Sequence, residues 1–289
     1  MPDNFLFYII FLSQIILASY YFPRKIYSRI NYILNTYPPS EYPKLYPKHA
    51  SNFKLVQVIF RLVNQIIFVL GFIIMFLVGK WDYSSDGNIS VVLPVICFMV
   101  QMIPIIAIEI SEFVNFKLMR IFDTRTIRKA ELHPRKLFDY ISPLLFGLAV
   151  FLYFASILFF YSIHQFQFHV SNDTFLIIIT QTVTNSIYAG IIFWNLYGKK
   201  VNPYQAAKDR IMHIEGIVKS SAFISIAVSL FLMIMEVVDN FNLDYLEPSI
   251  MSLYLQIILL MGLGFMLRIQ RIENMDFEVY KEDASAQKV

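Results

Sequence analysis

The chain has 289 residues, of which 57% are hydrophobic and 16% charged, and its formal net charge is +3. Soluble domains are about 45–50% apolar and about 25% charged, so the composition excludes an ordinary soluble globular protein. The single cysteine, Cys97, cannot form an intrachain disulfide, and it excludes a cysteine-rich metal site.

The apolar residues come in seven blocks of about twenty, the length that crosses a hydrocarbon core of about 30 Å. No basic residue precedes the first block, so it does not fit a secretory signal peptide. We therefore predict an all-α integral membrane protein in which one N-terminal span is followed by three helical hairpins. One membrane domain, residues 1–272, would precede a polar tail, residues 273–289. The predicted spans are 5–22, 56–78, 91–113, 141–163, 174–196, 220–238 and 250–267.

Basic residues are distributed very unequally between the connecting segments. Of the 24 Lys and Arg residues, all except Arg61 and Lys80 fall in the segments that follow spans one, three, five and seven. Cytoplasmic loops carry the excess of Lys and Arg, so this pattern predicts an outside N-terminus and a cytoplasmic C-terminus. The expected location is a bacterial inner membrane or another plasma membrane.

The three predicted hairpins open with Lys54, Lys136 and Lys219, at nearly equal intervals. This spacing is consistent with an internal triplication, and equally with lysines that simply mark the membrane edge. Residues 204–219 have apolar side chains at helical spacing. They would form either an interfacial helix or an extension of span six.

Ionisable residues inside a bilayer are costly, so each one is a candidate for function. Matching depths along spans two and three places Arg61 opposite Glu109, and we predict an ion pair between them. The pair would fix the hairpin or, alternatively, act as a gate. Glu112 shares a helical face with Glu109, so the two carboxylates could also bind a metal or transfer protons.

Four of the uncharged polar residues within the spans are further candidates. Gln181 and Asn185 share one face of span five, and Asn64 and Gln65 are neighbours in span two. Such groups commonly form hydrogen bonds to a neighbouring helix. The alternative is that these four residues, with Glu112, line a polar cavity.

No pattern typical of a cofactor or catalytic site is present. The histidines form no H-E-x-x-H, and the chain has neither a phosphate-binding glycine loop nor G-x-S-x-G. Span seven has no lysine to which retinal could attach. We expect no metal, no cofactor and no nucleic-acid partner. A non-enzymatic role is favoured over an enzymatic one.

The segment "TYPPSEYPKLYPK" contains three Tyr-Pro pairs between spans one and two. Residues before proline favour extended geometry, so we predict a stiff strap of polyproline-II type. Tyr37, Tyr42 and Tyr46, with Pro43 and Pro47, would hold it at the headgroup level. Docking of a protein partner is the alternative.

Three classes of function remain open on the sequence. The first is a non-enzymatic sensor, or an accessory or scaffold subunit, whose basic connectors contact anionic headgroups or a membrane-protein partner. The second is a small-solute transporter or channel with a polar path near spans two, three and five. The third is an intramembrane enzyme, in which His133 or His213 would converge with Glu109 and Glu112.

Overall fold

The computed structural model describes residues 4–48, 50–85, 89–123, 135–163 and 173–281. It is 85% helix with no strand among the residues described, and seven helices are long and apolar enough to cross a membrane. The predicted all-α class and helix count are confirmed. The helices are α1 (Phe5–Thr36), α2 (Ala50–Ser85), α3 (Val92–Ile121), α4 (Pro143–Ile163), α5 (Asp173–Tyr197), α6 (Ala207–Asn240) and α7 (Glu247–Leu259, Leu260–Gly264 and Phe265–Ile269).

Several helices extend well beyond the predicted spans at one end of the bundle. The strap, the α5–α6 connector and the C-terminal segment (residues 272–281) meet there. We call it the basic end, because these segments carry Lys44, Lys48, Lys199, Lys200 and Lys281. Helix α1 continues to Thr36 and stops at Tyr37, whose backbone (φ −121°, ψ 76°) is non-helical because Pro38 follows. Helix α6 begins at Ala207, so most of residues 204–219 extend span six and do not form a separate helix.

The helices pack as two groups joined by α6 and α7. Helix α7 contacts α1, α3 and α6, while α2 contacts α1 and α3. On the other side, α6 packs extensively against α4 and α5, which touch each other only slightly although they are consecutive in sequence. The bundle core therefore lies around α1, α6 and α7, and α2 and α5 are largely peripheral.

Helices α1 and α7 each contain one turn of π-helix, at Leu17–Tyr21 and Leu260–Gly264. Ala18 of the first wide turn and the adjacent Phe22 pack with Leu259, the residue before the second wide turn, in one buried cluster. A Cβ at Gly264 would lie 3.1 Å from Cζ of Phe22, so the absence of a side chain there permits this close approach.

Candidate functional site

The basic end is closed by a cap of aromatic side chains. The strap, residues 37–48, and the C-terminal segment, residues 272–281, meet there with the end of α3 and the α5–α6 connector. Their shared cluster contains six buried residues: Tyr42, Met119, Tyr204, Ile272, Phe277 and Tyr280. Chain segments that are far apart in sequence thus form one small core outside the bundle.

Stacked rings hold the strap against the C-terminal segment. The rings of Tyr37 and Phe277 are stacked with centroids 4.0 Å apart and planes 18° apart, and Tyr42 meets Tyr37 edge-on at 5.1 Å. The Tyr46 hydroxyl donates to the Tyr37 carbonyl at 2.6 Å. Prolines limit the strap to a single 3-10 turn, Pro43–Leu45. Tyr42 is 7% exposed, so the protein itself holds this ring, which was predicted to lie at the headgroups.

Hydrogen bonds complete the cap on the side of α6. Asn202 is 7% exposed; its Nδ2 donates to the Tyr280 hydroxyl at 2.6 Å, and its Oδ1 accepts from the Tyr204 backbone N–H at 3.0 Å. The buried Asp209 accepts the backbone N–H of Asp276 at 3.2 Å. None of these residues was predicted from the sequence. The Asn-Pro pair at 202–203 marks a turn, but no local pattern indicates its distant partner.

Burial raises the pKa of the Tyr280 phenol to about 12. The hydrogen bond from Asn202 opposes this shift, because a donor stabilises the phenolate, whereas the negative charges of Asp209, Glu112 and Asp276 add to it.

We expect the docked C-terminal segment to be destabilised at high pH. An ordinary tyrosine has a pKa of about 10, so the docked Tyr280 binds its proton more tightly than the undocked residue does. Its contribution is complete below pH 10 and is lost as the pH rises from 10 to about 12. The phenolate absorbance of wild type minus Tyr280→Phe should titrate near 12 and return to about 10 in denaturant. A native midpoint near 10 would contradict the buried, protonated phenol.

The predicted partners Arg61 and Glu109 are not brought into an ion pair. The guanidinium carbon of Arg61 lies 5.5 Å from the centroid of the Tyr27 ring on α1. The cation that interacts electrostatically with Glu109 and Glu112 is Arg29 of α1. Helix α2 packs along α1 as well as α3, and Arg61 lies on the side of α2 that meets Tyr27 of α1.

A first buried polar layer joins α1, α3 and α7 around Gln14. Gln14 is fully buried; its Nε2 donates to the Pro94 carbonyl at 3.1 Å and to Gln101 Oε1 at 3.3 Å, and its Oε1 accepts from Ser252 at 2.6 Å. Nearby, Gln256 donates to the Ile10 carbonyl at 3.0 Å. This layer was not predicted from the sequence, because a lone glutamine or serine in a span is common.

A second buried polar layer joins α4, α5 and α6 around Gln181. Its Nε2 donates to Ser156 at 2.5 Å and to Ser229 at 3.0 Å, and the Ser225 hydroxyl donates to Asn185. Both of the span-five residues chosen from the sequence therefore bond to neighbouring helices. The Gln181 Oε1 is buried and has no hydrogen-bond partner in the described part of the chain.

The other candidates for a polar cavity lie elsewhere. Asn64 is 4% exposed and donates to the Phe60 carbonyl of its own helix at 2.7 Å, while Gln65 and Glu112 are exposed. Helix α2 packs on α1 and α3, whereas α5 packs on α6 and α4, so the span-two and span-five candidates belong to different groups of helices.

His133 and His213 were the histidines predicted to converge with Glu109 and Glu112 in a metal or catalytic site. His213 Nδ1 lies 3.0 Å from Gln270 Nε2, and His133 falls outside the described residues. Among residues 4–48, 50–85, 89–123, 135–163 and 173–281, no group of three or more His, Cys, Asp or Glu side chains could hold a metal ion. Comparisons with protein-family models, curated proteins and solved structures found no significant match, so the function must be inferred from the geometry of the molecule itself.

Proposed function

We propose that this chain is a multi-pass membrane protein that serves as a non-enzymatic accessory or scaffold subunit, or a sensor, in a membrane complex. One observation carries the proposal: two buried glutamines each form hydrogen bonds that join three helices of the bundle. Gln14 joins three helices in the first layer, and Gln181 joins three helices in the second. Such groups fix helix positions, which favours a framework over a path for solutes.

The charge distribution supports an orientation for this framework. We place the basic end in the cytoplasm and the N-terminus outside, following the positive-inside rule. The location would be a bacterial inner membrane or another plasma membrane. The basic connectors at this end would contact anionic headgroups, and the cap would offer a folded surface to a membrane-protein partner.

The protein extracted with its native lipids should carry a second membrane protein at fixed stoichiometry, as measured by native mass spectrometry of the particle. We expect Gly190→Leu on α5 to weaken this association at least tenfold, because only 6% of the most apolar stretch of α5 is buried within the bundle. The matched control is Gly147→Leu on α4. At both glycines an added Cβ meets no atom within 4 Å, so both positions are open to a side chain. A particle that contains this chain alone, or equal losses with both variants, would contradict the proposal.

A transporter is the second candidate, and the unpartnered Oε1 of Gln181 favours it. A buried acceptor in hydrocarbon is costly, and a passing solute or water could satisfy it. Flux into liposomes that falls with Gln181→Leu and is unchanged by Gln65→Leu, at an exposed glutamine, would support transport over the scaffold role.

A further inference from the structure

Two arginines lie on the exposed side of the seam between α1 and α2. Arg24 Nη1 donates to the Tyr20 hydroxyl at 2.6 Å, and the guanidinium carbon of Arg61 lies 5.5 Å from the centroid of the Tyr27 ring. Both arginine side chains are exposed. Among the described residues, neither one has a carboxylate within ion-pair distance.

The packing of α1 on α2 places these two cations on adjacent turns. The rings of Tyr20 and Phe68 are 5.6 Å apart. Further along the seam, Gln57 Nε2 donates to Asn31 Oδ1 at 3.3 Å. The helices therefore run antiparallel, with Arg61 opposite Tyr27. Arg24 is three residues before Tyr27 and so lies on the same face of α1.

The surroundings of this seam are apolar. Val58, one turn before Arg61 on α2, is 53% exposed, and Ile16 and Tyr21, one turn before Tyr20 and Arg24 on α1, are 42% and 43% exposed. A charge on such a surface is costly in a bilayer unless it reaches the interface and finds a counter-charge there. In the proposed orientation, the counter-charge available at this depth is the phosphate of a cytoplasmic-leaflet lipid.

We propose that the α1–α2 seam is a binding site for the phosphate of an anionic phospholipid. Arg24 and Arg61 donate to the phosphate oxygens, because the planar guanidinium fork matches phosphate geometry. The Tyr20 hydroxyl holds the Arg24 head, and the face of Tyr27 supports Arg61 by a cation–π contact. The acyl chains lie along the exposed apolar side chains beside the seam. Only the choice of leaflet depends on the proposed orientation; the site itself does not depend on the scaffold role.

The test is native mass spectrometry of the intact protein, released from nanodiscs of phosphatidylcholine with added phosphatidylglycerol or cardiolipin of matched acyl chains. We expect retained anionic lipid on the wild type, and about fivefold weaker retention with Arg24→Gln or Arg61→Gln. Lys25→Gln is the matched control. It makes the same charge change on the same turn of α1, where Lys25 lies over the Tyr21 ring at 4.7 Å, and it should leave retention unchanged.

Three results would overturn the site. If Lys25→Gln weakens lipid retention as much as the arginine variants do, the attraction is diffuse and not site-specific. If neutral and anionic lipids are retained equally, the site does not select anionic lipid. Displacement of the lipid by inorganic phosphate alone would assign the site to a soluble anion. Melting temperatures in pure phosphatidylcholine should be equal for wild type and variants, which confirms that the variants are folded. Association with a partner protein is measured separately, so loss of lipid binding and loss of the complex remain distinguishable.

Discussion

Phe277→Ala should detach the C-terminal segment from the cap. Phe277 is 7% exposed and stacks on Tyr37 with centroids 4.0 Å apart, so the substitution removes both the buried ring and the stacking contact. Deleting a buried phenylalanine costs about 3–5 kcal/mol, and we expect about 3 kcal/mol here, because the cap is smaller than a domain core. Hydrogen exchange in residues 272–281 should accelerate by roughly 100-fold.

The control for this result is Phe122→Ala, the same chemical change at the end of α3, where the side chain is 61% exposed. It should leave exchange in the C-terminal segment unchanged. The helices should be equally protected in both variants, since the cap lies outside the bundle. Unchanged exchange in Phe277→Ala would contradict the docked cap, and acceleration throughout the helices would mean that the cap is part of the global core.

Gln14→Leu should lower the free energy of unfolding by about 2 kcal/mol. Leucine nearly conserves the volume, but it leaves the Ser252 hydroxyl and Gln101 Oε1 without the partners they have at 2.6 and 3.3 Å. A buried polar group left unpaired costs about 1–3 kcal/mol. Single hydrogen bonds within membranes average only about 0.6 kcal/mol, so the loss of all three Gln14 bonds at once, including the one to the Pro94 carbonyl, makes the effect large. Steric trapping in bicelles measures the unfolding free energy directly.

The matched control is Gln65→Leu, at an exposed glutamine of α2, which should change the unfolding free energy by less than about 0.5 kcal/mol. Combining Gln14→Leu with Ser252→Ala should cost less than the sum of the single changes, because the second removes a group that the first leaves unpaired. Strict additivity would show that the hydrogen bond between these residues contributes nothing.

The number of spanning helices follows from the sequence alone, because hydrophobicity over about twenty residues is a local property. The end of α1 at Tyr37 also follows from the sequence alone, because Pro38 disfavours a helical backbone at the residue before it. Gln181 and Asn185 were also recognised locally as polar groups within a span that would seek a neighbouring helix.

Only the tertiary structure decided which residues meet. Arg61 was placed at a plausible depth, but depth does not fix the rotation of a helix, and packing on α1 turned this residue towards Tyr27. Residues 204–219 were equally consistent with two arrangements until the continuity of α6 selected one. The contact between the strap and the C-terminal segment could not be predicted, because the two are more than two hundred residues apart in sequence. Hydropathy and backbone preference act within a few residues, whereas the cap and both polar layers depend on contacts between distant segments, which no local pattern encodes.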